Sequence, residues 1–180
     1  KFRSSQRKRG DQVGDPTLIV ASSGFWDIAS WWANEQNFSR NWRLAANHTT
    51  RYVDAVSLFV SEVRRAFPRS AVVWRLMHPG LKHSISPSVV EQLNGAIRSV
   101  APSWRLPLVD GEAFVNALSR REQPHLGANK PYGTMDGRHL HPYINLALLN
   151  LLLNLAERAL RGALPYRWQL PEYKRAAWHR

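Results

Sequence analysis

The chain predicts an α/β fold: a parallel sheet covered by helices on both faces. Three observations point there. Residues 17–22, 71–76 and 106–110 form short apolar, β-branched runs, the pattern of strands buried on both faces rather than the alternation of a half-exposed sheet. Between them lie segments whose apolar residues recur at three- and four-residue steps, the signature of amphipathic helices. Strands that alternate with helices join in parallel, because a parallel neighbour can be reached only through a long crossover.

Taken in order, residues 1–16 are charged and without apolar periodicity, a tail or linker. The first strand, 17–22, stops at Gly24. The aromatic residues that follow, Phe25, Trp26, Trp31, Trp32, Phe38 and Trp42, are irregularly spaced and predict an elaborated loop followed by helix. From Thr49 to Ala66, Val53, Val56, Val60 and Val63 mark one face of a helix that Pro68 ends. The second strand covers 71–76 and runs into a loop at His78-Pro79-Gly80. Ser86 and Pro87 supply an N-cap and a first-turn proline for a helix carrying Val89, Val90, Leu93, Ile97 and Val100 on one side. In the third strand, Pro107 has no N–H to give a ladder and marks an edge or a strand start. A short helix is expected from Glu112 to Leu118, a polar loop from Ser119 to Asp136, and a last helix from about Pro142 to Arg161. The ordered domain is thus 17–162, with a basic aromatic tail at 163–180. No internal repeat is present.

At 180 residues the chain suits one domain with a real core. Lys and Arg number 25 against 13 Asp and Glu, a net charge of +12 that suits an anionic partner. Much of that charge lies at the termini, and no zinc-finger, RNA-recognition or homeodomain signature accompanies it, so no specific nucleic-acid binding is expected. Cysteine is absent, which excludes disulfides and thiolate metal sites. Asn37-Phe38-Ser39 and Asn47-His48-Thr49 satisfy the N-glycosylation pattern and point to the secretory pathway, in the Golgi lumen or outside the cell. The longest apolar run, Leu146 to Ala156, is broken by Asn150 and Asn154 and too short to span a bilayer. The first residues lack the apolar core of a leader, and Arg7-Lys8-Arg9 would suit a processing protease, so a processed product or a portion of a longer chain is expected.

Chemistry concentrates in Asp136-Gly137-Arg138-His139-Leu140-His141-Pro142. A histidine acts as general base toward a hydroxyl only when its other ring nitrogen is held in the right tautomer, usually by a carboxylate. Asp-x-x-His in a turn can bring both groups to one side. In a parallel sheet the active crevice lies beyond the carboxyl ends of the strands, and Gly24 to Asp27, His78, Asp110 and the 136–141 segment all belong at that end. A rival reading makes His139, His141 and Asp136 metal ligands, which would need His78, His83 or His125 to converge on them. Trp74, on a strand, belongs to the core; Trp26, Trp31 and Trp32, beside Gly24, are expected to wall a substrate.

The order of these pieces resembles the SGNH/GDSL hydrolase superfamily: a strand ending in Ser22-Ser23-Gly24-Phe25-Trp26-Asp27, a later one ending in Trp74-Arg75-Leu76-Met77-His78-Pro79, and a late Asp136-Gly137-Arg138-His139-Leu140. The nearest branch is the PC-esterases, which include trichome-birefringence-like polysaccharide O-acetyltransferases and the luminal domains of sialate and capsule O-acetyltransferases. The resemblance covers about residues 17–162 and implies a three-layer α/β/α, flavodoxin-like domain, incomplete at its N-terminus. It implies that His139 is the catalytic base, oriented by Asp136, with His141 as a substitute because the usual proline follows the later histidine. It also implies an oxyanion donor in the Gly24 backbone N–H, and Trp26, as in the plant branch, where other members carry an asparagine. Trp26, Asp27, His78 and His141 are expected to face the substrate. The nucleophilic Gly-Asp-Ser block does not occur in this chain. The implied activity is an O-acyl, chiefly O-acetyl, esterase or acetyltransferase acting on carbohydrate or another small ester. Its serine would lie outside the chain on an N-terminal segment, and it would need no cofactor and no metal. On that account the isolated chain lacks esterase activity. The alternative is a non-catalytic, carbohydrate-binding remnant of such a domain.

Overall fold

Strands and crossovers alternate as the hydrophobic periodicity requires. The structure, a computed structural model, describes residues 14–35, 44–78, 86–115, 139–140 and 142–163. Within them run β1 (Leu18–Ala21), α1 (Phe25–Asn34), α2 (Ala46–Ala66), β2 (Ala71–Arg75), α3 (Pro87–Val100), β3 (Leu108–Val109) and α4 (Pro142–Leu160), with one helical turn at 111–115. The fold is mixed α/β. Its sheet is parallel, ordered β1-β2-β3, with Leu18 opposite Ala71 and Trp74 opposite Leu108.

Alternation along β2 divides the core. Val72 and Trp74 join Ile28 of α1, Val56 and Val60 of α2 and Leu93 and Ile97 of α3 in the largest cluster. Val73 points the other way, into a small cluster with Val109 of β3 and Leu155 of α4. The continuous apolar run of β2 is therefore explained: both of its faces are covered. Two successive crossovers stepping in one direction across a parallel sheet leave their helices on one face, and α2 and α3 accordingly pack on each other. The opposite face is left to α4, which also reaches β1.

Several boundaries differ from expectation, each for a local reason. The aromatic stretch is helical from Phe25 to Asn34, with no loop between the turn and the helix, because Gly24 at φ 119° turns the chain and its carbonyl accepts the Ile28 N–H at 2.9 Å. Helix α2 starts three residues before Thr49. His48 makes this possible: its Nδ1 accepts the Ala45 N–H at 3.0 Å, which satisfies one of the N–H groups that a helix start leaves without a partner. β3 has only two residues and, as Pro107 implied, lies at an edge of the described sheet. β1 is half-buried along its whole length, because β2 alone pairs with it among the described residues. Phe38, Trp42, the 119–136 loop and both tails lie outside the described residues. No described helix is long and apolar enough to cross a membrane.

Candidate functional site

The carboxyl end of the sheet is assembled by three close approaches of backbone. After β1 the chain turns at Gly24, where an added Cβ would stand 2.4 Å from the Met77 sulfur. After β2, Met77 is held by the buried Asn94 of α3. Its side-chain Oδ1 accepts the Met77 N–H at 3.0 Å and its Nδ2 donates to the Met77 carbonyl at 2.8 Å. This amide imitates a ladder partner and carries β2 two residues past its last paired position. After β3, Gly111 passes so close that a Cβ there would lie 2.4 Å from the Leu76 carbonyl oxygen. The three strand ends are thereby drawn together.

Around this end, His78 is buried, and the edge of its ring meets Phe25 with centroids 4.8 Å apart. Tyr52 of α2 donates to the Ser23 carbonyl at 3.0 Å, fixing the turn from behind. Burial, and then the negative charge of Asp27, hold its phenol protonated well above the ordinary tyrosine range. Ser23 Oγ donates to Asp27 Oδ2 at 3.0 Å, and that carboxylate lies in the first turn of α1, where the helix dipole favours it. Arg75, the last residue of β2, has its guanidinium pulled below the usual arginine value by burial.

At the β3 corner one cation serves three carboxylates. Arg98 of α3 donates from Nη1 to Glu91 at 2.9 Å and from Nη2 to Asp110 at 3.0 Å, while Glu112 stands 3.8 Å from the same Nη2. One guanidinium cannot neutralise three carboxylates. Burial, and then the hydrogen bond and charge of Glu91, push the Glu112 carboxyl up to about 7 against the pull of Arg98.

Gly24, Asp27 and His78 are therefore together at one corner, with Trp26 beside them and 74% exposed. Trp31 is corrected: it is buried in the main core, stacked on His48 at 4.6 Å, and walls nothing. Trp32 is exposed and Trp74 is core, as its strand position implied. His139 is exposed, and the next residue, Leu140, is buried against Val115, which follows β3. Asp136 and His141 lie outside the described residues, as do His83 and His125. Among the described residues no three His, Asp or Glu converge as metal ligands.

The chain matches no protein-family model, no curated protein and no solved structure.

Asn94 and Arg98 escaped the sequence reading. Asn94 left a trace, a polar residue set among Val90, Leu93 and Ile97 on the apolar side of α3. A side chain there must find a partner or carry the cost of burial. Arg98 left none, since its partners come from two elements.

Proposed function

We propose that the chain is the larger part of an SGNH-type, three-layer α/β/α domain. Its activity in the complete protein is O-acyl transfer, by hydrolysis or acetyl transfer, on an acylated carbohydrate. The observation that carries this reading is Gly24. It sits at the end of a parallel strand, at a φ that L side chains rarely adopt, and at the start of a helix, where backbone N–H groups can meet an oxyanion. His78 at the same end agrees with it, as do the helices packed against Val72 and Trp74 on one side and Val73 on the other. Among the described residues β1 pairs only with β2, and its apolar residues 18–21 are half-buried where an edge strand usually carries charge or proline, which also agrees. The strand that would bring the serine is proposed to pair there.

In this mechanism a serine outside residues 1–180 attacks the acyl carbonyl. His139 takes its proton, Asp136 orients His139, and the Gly24 N–H stabilises the tetrahedral oxyanion. The tetrahedral intermediate collapses with cleavage of the ester C–O bond, the alcohol leaving with the proton that His139 returns, and a second attack, by water or a sugar hydroxyl deprotonated by His139, takes the acyl group and frees the serine. A fluorophosphonate probe applied to the polypeptide with its upstream segment should label a serine, and His139→Ala should abolish the labelling. Residues 1–180 alone should remain unlabelled. Labelling that ignores His139→Ala defeats the assignment. Secretory localisation belongs to the same reading, with Asn47 exposed on the first turn of α2 as a glycan acceptor.

The exposure of Trp26 favours a second reading, a carbohydrate-binding remnant without chemistry. Quenching of tryptophan fluorescence by acetylated oligosaccharide, lost in Trp26→Ala and accompanied by no serine labelling in the longer polypeptide, would select it.

A further inference from the structure

Arg75 closes β2 on the side of the sheet that α4 covers. Alternation along the strand sends Val72 and Trp74 toward α2 and α3 and Val73 toward α4, so Arg75 follows Val73, and its register partner Val109 lies in the same small cluster with Leu155. The side chain is half-buried, and among the described residues none accepts a hydrogen bond from its guanidinium or pairs with its charge. A cation withdrawn from water is costly unless an anion meets it. At Arg98 burial is overcome by Asp110 and Glu91, and the guanidinium stands above the usual arginine value; at Arg75 burial acts alone and pulls it below. We propose that Arg75 is the base of an anion site at the carboxyl end of the sheet, on the α4 side, which takes the carboxylate of a small organic acid from solution with Ser22 as second donor.

Among the described residues, the carboxylates of this end are engaged elsewhere. Asp27 accepts from Ser23, and Glu91, Asp110 and Glu112 surround Arg98 on the α3 side. Helix α4, over the Arg75 side, carries no charge between Pro142 and Ala156. A strand added at the outer edge of β1 would stand about 10 Å from β2, two strand spacings away. These placements point to a solute as the counter-ion. One guanidinium matches one negative charge, and its planar fork presents two parallel N–H groups to the two oxygens of a carboxylate. A phosphate group, nearer two charges at neutral pH, would leave one of them uncompensated in a half-buried place. Carried one residue past the Ala21–Trp74 pair, the register brings Ser22 level with Arg75, and Ser22 is exposed, so its hydroxyl is placed to donate to the same anion. The site stands apart from the acyl-transfer reading, because nothing in it depends on His139 or on a serine outside the chain.

Acetate is the probe, titrated into the 180-residue chain against sodium chloride at equal ionic strength. It should shift the Arg75 Nε–Hε resonance, identified as the one missing from Arg75→Met, with saturation on the order of millimolar, and should raise the melting temperature. Inorganic phosphate or chloride acting as strongly as acetate overturns the carboxylate assignment. Arg75→Met keeps the stem and removes the charge, so it should melt no lower than the unmodified protein in chloride and lose at least about tenfold in acetate affinity. Arg75→Lys, with charge but no fork, should lose about tenfold, and Ser22→Ala, on an exposed residue, about threefold. Acetate affinity unchanged in Arg75→Met places the anion elsewhere and overturns the site. An Arg75 resonance unmoved by acetate in the unmodified protein but responsive in Asp136→Asn shows that a carboxylate of the chain itself fills the site, and overturns the proposal equally.

Discussion

Gly24 carries two constraints at once, one of conformation and one of space. Its φ of 119° is costly for any side chain, and a Cβ would have to displace the buried end of Met77. Gly24→Ala should therefore destabilise the protein by about 1–3 kcal/mol, read by chemical denaturation, and should loosen the Phe25–His78 contact. Asn94 has the opposite character: a polar side chain in an apolar place that is fully satisfied there. Asn94→Leu removes both of its bonds and leaves the Met77 N–H and carbonyl buried without partners, a cost of about 2–4 kcal/mol in the same measurement. A loss below about 1 kcal/mol would show that water reaches Met77. His48 ties two segments together: its Nδ1 accepts the Ala45 N–H at 3.0 Å, and its Nε2 lies 2.7 Å from Glu35 Oε2.

Between elements, the contacts of the carboxyl end are polar and titratable. The clasp of Arg98 joins α3 to the chain leaving β3, and Glu112 is its member with a raised pKa. A carboxyl raised from its ordinary value to about 7 binds its proton more tightly when folded than when unfolded. Stability is then fullest below the ordinary value, falls as pH rises from about 4.5 to about 7, and is flat above. Because the group is partly open to solvent, the amplitude is on the order of 1 kcal/mol. Glu112→Gln should remove this slope and melt above the unmodified protein at pH values beyond 7, in thermal unfolding followed against pH. A slope that persists in the variant assigns the proton to another group. Gly111 belongs to the same corner, since its close approach to the Leu76 carbonyl is what lets β3 end against β2.

Over the whole molecule, α4 separates two kinds of apolar residue. Leu155 faces the sheet in a cluster with Val73 and Val109, and that small cluster is what holds α4 over its face. Leu155→Ala should cost about 2–4 kcal/mol in chemical denaturation, whereas Leu153→Ala, two positions away on the outer side, should change stability by no more than about 0.5 kcal/mol. Equal losses would mean that the outer side of α4 is covered from within the chain.

Hydrophobic period by itself determined the class of the fold: continuous apolar runs require strands covered on both faces, and three- and four-residue steps require helices laid over them. It also located Gly24 and His78 at the carboxyl ends of strands, because a parallel sheet sends every such end the same way. Caps and boundaries were less legible. The start of α1 depended on one glycine dihedral, and the start of α2 on a histidine bonding three residues back. Tertiary structure alone decided that Trp31 is core while Trp26 stands in water, since helical phase relative to a neighbouring sheet is not a local property. It alone assembled the Arg98 clasp and the Asn94–Met77 pair, whose partners lie 7 to 17 residues apart and meet only after α3 has packed. And it alone showed that Ile144, Leu148 and Leu155 are the buried side of α4: periodicity can count apolar residues around a helix, but only packing decides which of them meet the sheet.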